Sequence, residues 1–296
     1  MSIDFNTKPL VSICCMTYNH ANFIRECLDG FVMQKTTFPF EILIHEDAST
    51  DNTANILKEY ESKYSHLFRC VYQTVNQFTI QNTLTNILFP MAKGKYIALC
   101  EGDDYWTDPY KLQKQVDFLE SNPDYTLCFH NVLINHEGVK GEDHLFCKEV
   151  MDTTDIKNVI NNYYIPTLSM VYRCNCISPL PEWFGEIYNG DYALQLLLSH
   201  QGKIKYINEN MGVYRKQPGG LNATMQNKIV WRHKISLMNY FNIYTNFKYN
   251  DLIKKRIDEL FEEYGVILKG KQNKFFKLFT VSFWIKRVNK LFNTKR

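Results

Sequence analysis

The 296-residue chain is 45% hydrophobic, enough for one large core with appendages and too much for a disordered polymer. Its 34 basic and 31 acidic residues leave a net charge of +3, and so even a balance gives no reason to expect a nucleic-acid partner. Nine cysteines, an odd number with no Cys-x-x-Cys pair, fit free thiols in a reduced compartment and speak against zinc. The amino terminus, with Asp4 and Lys8, has no apolar stretch of signal-peptide length, and no run approaches the ~20 apolar residues of a spanning helix, so a cytoplasmic protein is expected.

Leu10 to Met16 reads as a strand buried on both faces and ends in Thr17-Tyr18-Asn19. A helical pattern follows through Phe23, Cys27, Leu28 and Phe31, with Asn19 or Asn22 as its cap. Phe40 to Ile44 is the next strand; it runs into His45, Glu46, Asp47, Ala48, Ser49, Thr50 and Asp51, then a helix with Ile56, Leu57 and Tyr60 on one side. A strand near Leu67 to Gln73 and a helix around Leu84 to Met91 come next, the latter closed by Gly94 as a left-handed cap. Tyr96 to Cys100 is apolar without alternation, and four carboxylates then crowd eight positions: Glu101, Asp103, Asp104 and Asp108. Strands alternating with helices predict a parallel, doubly wound α/β sheet that gathers both acidic loops on one binding edge.

Pro109 opens a helix in which Leu112, Val116 and Leu119 recur at i, i+4 and i+7. Tyr125 to Ile134 and Thr167 to Tyr172 read as strands, separated by an irregular insertion at 136–163 with a helix from Thr154 to Asn161. Trp183 and Phe184 precede Asn189-Gly190-Asp191 and a helix carrying Leu194, Leu197 and Leu198. Ile204 to Ile207 and Met211 to Tyr214 read as two short strands before the loop Arg215 to Gly220, and two helices follow from Met225 to Lys269.

Carboxylates packed as closely as Glu101, Asp103 and Asp104 raise one another's pKa, so a cation is the natural way to keep them ionised, and hard oxygen ligands favour magnesium or manganese. A solvated turn with one aspartate capping the next helix is the plainer alternative. His20, His45 and His130 lack metal-ligand spacing and read as structural. Trp106 and Trp183 are candidate sugar platforms that would be equally at home in a core.

The order Val11-Ser12-Ile13 through Thr17-Tyr18-Asn19, Glu46-Asp47-Ala48-Ser49-Thr50-Asp51, Ala92-Lys93-Gly94-Lys95-Tyr96-Ile97 and Glu101-Gly102-Asp103-Asp104 resembles the family 2 glycosyltransferases, inverting enzymes of glycosyltransferase A fold, from Pro9 to about Gly220. The resemblance implies a Rossmann-like α/β fold with a mostly parallel central sheet and C-terminal helices. Residues 1–222 would be catalytic, with a nucleotide half at about 9–108 and an acceptor half at 109–222, and residues 223–296 a helical extension. It implies sugar transfer from a nucleotide-diphosphate donor, UDP-linked by preference, to a hydroxyl of a glycan or lipid-linked oligosaccharide. Mn2+ or Mg2+ would be held by Asp103, Asp104 and Glu101. Thr17, Tyr18, Asn19, Glu46, Asp47, Asn86, Asp103 and Arg215 would contact the nucleotide. A carboxylate such as Asp47 or Glu46 can accept the ring N–H of uracil, which guanine and thymine also offer, and Tyr18 can stack on the base.

Asp191 matches the family's catalytic aspartate, although Gly190 stands where the family has an acid; as a general base it would take the acceptor's proton. Leu84-Thr85-Asn86 replaces the family's Ala-Arg-Asn, and Tyr214-Arg215-Lys216-Gln217 puts glutamine in the place of a histidine. Two rivals are a catalytically silent nucleotide- or glycan-binding domain and a sugar nucleotidyltransferase; the latter would want a glycine-rich, basic phosphate loop where Thr17-Tyr18-Asn19-His20 stands. Beyond Glu263 there are nine bases and no acid, interleaved with Phe275, Phe276, Phe279, Phe283 and Trp284. That mixture fits an anionic membrane surface met by residues 269–296 from the cytoplasmic side, or a docking partner.

Overall fold

This computed structural model describes residues 7–78, 83–137, 143–148, 150–161, 165–188, 190–217 and 227–263. The elements in chain order are β1 (Val11–Thr17), α1 (Ile24–Val32), β2 (Phe40–Glu46), α2 (Thr53–Lys63), β3 (Phe68–Tyr72), a π-helical turn Leu84–Leu88 leading into α3 (Phe89–Met91), and β4 (Tyr96–Leu99). There follow β5 (Tyr105–Trp106), α4 (Lys111–Ser121), β6 (Tyr125–His136), β7 (His144–Leu145), β8 (Thr153–Thr154), α5 (Ile156–Asn161), β9 (Val171–Arg173), α6 (Gly190–Gln201), β10 (Lys203–Lys216), α7 (Asn227–Tyr244) and α8 (Asn250–Glu263).

Among the described residues the strands form one sheet whose main path is β3-β2-β1-β4-β9-β6-β10-β5. β3, β2, β1 and β4 are mutually parallel, and β6 and β10 run the same way beyond the reversed β9, so the expected mostly parallel α/β sheet is present. The carboxyl ends of β1, β2 and β4 therefore share one edge, where open α/β sheets take their ligands.

Strand residues alternate between two cores. Ile13, Cys15, Ile42, Ile44 and Ala98 pack with Ile24, Leu28, Ile56, Leu57, Leu112 and Val116 of α1, α2 and α4. Cys14, Leu43, Ile97 and Leu99 pack on the other face with Leu194 and Leu198 of α6, Leu237 and Phe241 of α7 and Ile253 of α8. Each such side chain contributes roughly 2 kcal/mol by leaving water, which is why the central strands read as unbroken apolar runs. The described part of the 223–296 extension thus shares the core of the sheet, while the basic tail at 269–296 lies outside the described residues. No described helix is long and apolar enough to cross a membrane.

Several local expectations are corrected. Neither Asn19 nor Asn22 caps α1; Phe23 precedes its first residue, and Asn19 instead takes a left-handed φ of 55°. The turn before β4 is extended at Ala92, and Gly94 is needed for close approach: a Cβ there would lie 2.5 Å from the Ser12 nitrogen. Thr167–Ser169 is a 3₁₀ turn, and the strand is confined to Val171–Arg173. The two strands expected over 204–214 are one, β10, with irregular register against β6 at Ile207/Asn210 and Asn210/Val213. The helix foreseen at Pro109 starts at Lys111. Trp106 is core: its indole N–H donates to the Leu168 carbonyl at 2.8 Å, its ring meets Phe31 edge-on, and it is 2% exposed, so it offers no sugar platform.

Lys111 is wholly buried with its Nζ 4.1 Å from the Trp106 ring centroid and donating to Gln115 Oε1 at 2.8 Å. Burial pulls its pKa down to about 7. Between that value and the ~10.4 of an unfolded lysine the unfolded chain binds the extra proton, so this residue's penalty is largest near pH 7 and fades as pH rises. In urea unfolding, Lys111→Met is accordingly expected to be more stable than wild type near pH 7 by on the order of 1 kcal/mol, with the difference shrinking toward pH 10. A difference independent of pH would remove this assignment.

Candidate active site

β4 delivers the acids to the carboxyl edge of the sheet. Gly102 donates its N–H to the Met16 carbonyl at 3.0 Å, and a Cβ on it would fall 2.7 Å from Thr17 Oγ1 and 2.9 Å from His20 Nδ1, so the acidic turn closes directly against the loop after β1. Asp104 donates its N–H back to the Glu101 carbonyl at 3.1 Å. Carboxylate oxygens of Glu101, Asp103 and Asp104 lie within 4.8 Å of one another. Enclosure, then the charges of Asp103 and Asp191, push Glu101 up to about 8. Burial, followed by Asp103 and Glu101, drives Asp104 well above the carboxylate range. Three hard oxygen donors crowded on one turn, with the ionisation of Glu101 and Asp104 held back, fit a divalent cation.

Arg215, at the end of β10, ties this turn to the far half of the sheet. Its backbone N–H donates to Asp104 Oδ1 at 2.9 Å and its guanidinium to the Asp103 carbonyl at 2.8 Å. The same guanidinium pairs with Glu26 of α1 and, at 3.2 Å, with Glu137, and lies 4.4 Å from the Tyr105 ring centroid and 5.2 Å from that of Phe23. Gln217, in the place of the expected histidine, donates its amide to Asp103 Oδ2 at 3.2 Å. The expected insertion at 136–163 is tied in by Glu137 and by Asn131, whose amide donates to the Cys147 carbonyl at 2.7 Å.

The loops after β1 and β2 are locked together. Asn19 Oδ1 accepts the Thr50 N–H at 2.8 Å, and the Asn19 N–H donates to Ser49 Oγ at 2.9 Å. Asp51 takes the Ala21 N–H at 3.0 Å and the Thr53 hydroxyl at 2.5 Å. Ala48 sits at φ 60°, a left-handed conformation at the position where the resembled segment has glycine. Glu46 is turned inward, accepting the Ser49 N–H at 2.8 Å. Asp47 accepts the Gln77 N–H on Oδ1 at 2.6 Å, and its Oδ2 takes no hydrogen bond among the described residues. Thr17 is buried beside His20, whereas Tyr18 presents its ring to solvent at 42% exposure.

Asp191 opens α6, half-buried, its carboxylate accepting the Tyr192 N–H at 2.8 Å. Its charge adds to burial in raising the pKa of Glu101 and of Tyr188. Asn86 stands elsewhere, exposed on the π-helical turn and opening on a cavity of about 430 Å³ whose lining includes none of these acids. Trp183 stacks on Tyr240 of α7 at 5.9 Å. His130 is buried, and His45 nearly so, as structural histidines. His20 departs from that reading, its Nε2 lying 3.9 Å from Asp103 Oδ2. Its position two residues after Tyr18 carried no metal spacing, so only the folded turn reveals it.

The profile of glycosyl transferase family 2 matches residues 12–173, and the chain belongs to that family. An uncharacterized protein of Mycobacterium tuberculosis is 38% identical over 213 residues, 71% of this chain and 60% of its own length, so the match spans three-fifths of that relative. Among solved structures, Staphylococcus aureus TarS in complex with UDP-GlcNAc aligns with a TM-score of 0.66 at 16% identity, over 88% of this chain and 76% of that one. The mannosyltransferase PcManGT of Pyrobaculum calidifontis, with GDP-Man and Mn2+, aligns at 0.56 and 13% identity over 90% and 78%. These likenesses bear out the fold.

Two outcomes follow from the geometry. Because Glu101 and Asp104 hold their protons high, manganese binding at pH 7 is expected to release protons, seen calorimetrically as heats that differ between buffers of unequal ionisation enthalpy. Equal heats would mean that these acids do not take the ion. Arg215→Lys keeps the charge but loses the fork, and is expected to cost about 2 kcal/mol in thermal or urea unfolding while weakening manganese binding. Unaltered stability would show that the partly exposed Glu26 and Glu137 are satisfied by water instead.

Proposed function

We propose that this family 2 glycosyltransferase moves a sugar from a nucleotide-diphosphate donor, UDP-linked by preference, to a hydroxyl of a glycan or lipid-linked oligosaccharide, with inversion at the anomeric carbon. The observation that carries the reading is the cluster of Glu101, Asp103 and Asp104 at the sheet edge shared by the loops of Tyr18 and Asp47. Tyr18 stacks on the base, and the open oxygen of Asp47 accepts its ring N–H, with Thr17, Asn19 and Glu46 shaping the loop. Asn86 and Arg215 are further nucleotide contacts, Arg215 from its place against Asp103 and Asp104. Asp103, Asp104 and Glu101 would hold Mn2+ or Mg2+, whose charge would neutralise the departing diphosphate. Asp191 removes the proton from the acceptor hydroxyl as it attacks, and one displacement on the face opposite the leaving group inverts the configuration.

The nucleotides seen with TarS and PcManGT, UDP-GlcNAc and GDP-Man, support a nucleotide-sugar donor without choosing between the bases. Thermal shift with UDP, GDP, TDP and CDP, each with and without manganese, decides. Ligand at a hundredfold excess over Kd adds about 2.7 kcal/mol to apparent stability. We expect one nucleotide to give a metal-dependent shift that is lost in Asp103→Asn and kept in Asp191→Asn, the latter without transfer. Turnover in Asp191→Asn would overturn its role, and no shift with any nucleotide would favour a glycan-binding domain.

A further inference from the structure

Three aromatic rings from distant parts of the chain meet beside Asp191. Phe78, beyond β3, has its ring centroid 6.3 Å from that of Tyr188 in an edge-on arrangement with an interplanar angle of 88°. Tyr188, three residues before Asp191, stacks on His233 of α7 at 5.1 Å and 29°. Tyr188 lies just ahead of the helix that carries Asp191, so the cluster sits at the entry to α6 next to the proposed base. His233 is held toward the neutral form by burial and by Arg232, which suits stacking over charge pairing.

Phe78 is the anomaly. It is 53% exposed, so a side chain that would contribute roughly 2 kcal/mol on full burial stays largely in water while its orientation is fixed against Tyr188. An aromatic ring half-open to solvent and braced by other rings at the mouth of a polar site is suited to a ligand with one apolar face and many hydroxyls. A pyranose is such a ligand: its axial C–H bonds pack on aromatic faces and its hydroxyls remain free for the site.

We propose that Phe78, Tyr188 and His233 form a carbohydrate-stacking platform that seats the terminal sugar ring of the acceptor and presents its hydroxyl to Asp191. The inference rests on the transferase reading above and adds to it the acceptor's chemical class at this position and the residues that grip it. It also explains why the C-terminal helices share the core of the sheet: α7 carries one ring of the platform, and both Tyr188 and His233 lie past the 12–173 stretch matched by the family profile. Acceptor choice is thereby separated along the chain from donor chemistry, and a protein with the same acids but other residues at these positions would take another acceptor.

Saturation-transfer-difference NMR with lactose, maltose, cellobiose and N,N′-diacetylchitobiose, each in the presence of manganese and the nucleotide chosen by thermal shift, tests the platform. Wild type is expected to saturate the ring protons of at least one disaccharide. Phe78→Ala, a change at a solvent-facing position that leaves the core alone, should weaken that binding about tenfold, as should Tyr188→Ala, while Tyr188→Phe should retain it within about threefold. Nucleotide binding should persist in all three variants. Equal disaccharide binding in wild type, Phe78→Ala and Tyr188→Ala, or no disaccharide bound by wild type while the nucleotide binds, would overturn the platform and leave the transferase reading standing. Loss of nucleotide binding by wild type itself would remove both.

Discussion

Mutual repulsion among three carboxylates at the end of one buried strand is the constraint on which the rest of the site depends. Glu101, Asp103 and Asp104 lie within 4.8 Å of one another, and burial together with the neighbouring charges raises the cost of ionising Glu101 and Asp104. Left to itself such a turn would open into solvent. It is held closed from both sides: Gly102 docks on the Met16 carbonyl of β1, and Arg215 reaches from β10 to the Asp103 carbonyl and to Asp104. A divalent cation bound among these oxygens would relieve that cost by taking the place of the protons.

The sheet explains why so few residues suffice. β1, β2 and β4 are parallel and adjacent, so the turns that follow them fall at one edge without long connections. The loops after β1 and β2 are then fastened to each other through Asn19, Ser49, Thr50 and Asp51, which leaves the Tyr18 ring exposed. Such mutual bonding fixes the site in advance, and a nucleotide binding there would order little that is not already ordered. Ala48 shows what this rigidity overrides: a non-glycine residue is kept at positive φ because the surrounding bonds outweigh a local strain on the order of 1 kcal/mol.

The surroundings of Asp191, proposed above to meet the acceptor, are assembled differently. Asp191 comes from the start of α6, Tyr188 from the segment before it and His233 from α7, and these are brought together by the core of Leu194, Leu198, Leu237 and Phe241 rather than by neighbouring strands. Packing of helices on the second face of the sheet thus supplies what the nucleotide half lacks. A change in the lengths or tilts of these helices would alter the acceptor surface and spare the acids, since the acids are bonded to β1 and β10.

The sequence by itself determined the strand–helix alternation, the parallel sheet and the clustering of acids at strand ends, because unbroken apolar runs and abrupt polar turns are local properties that no distant contact need complete. It also singled out Asp191 and Gln217 as positions to watch. Tertiary structure alone decided that Trp106 is core, that Gly94 serves close packing against Ser12 rather than a left-handed cap, and that β10 is one strand with shifted register. It alone decided that Arg215 braces the acid turn through Glu26 and Glu137, and that Phe78, Tyr188 and His233 meet. Those facts depend on residues far apart in the chain, 62 positions for Trp106 and Leu168 and 189 for Arg215 and Glu26, approaching within hydrogen-bond or ring-contact distance, and neither composition nor periodicity encodes which distant side chains will be neighbours.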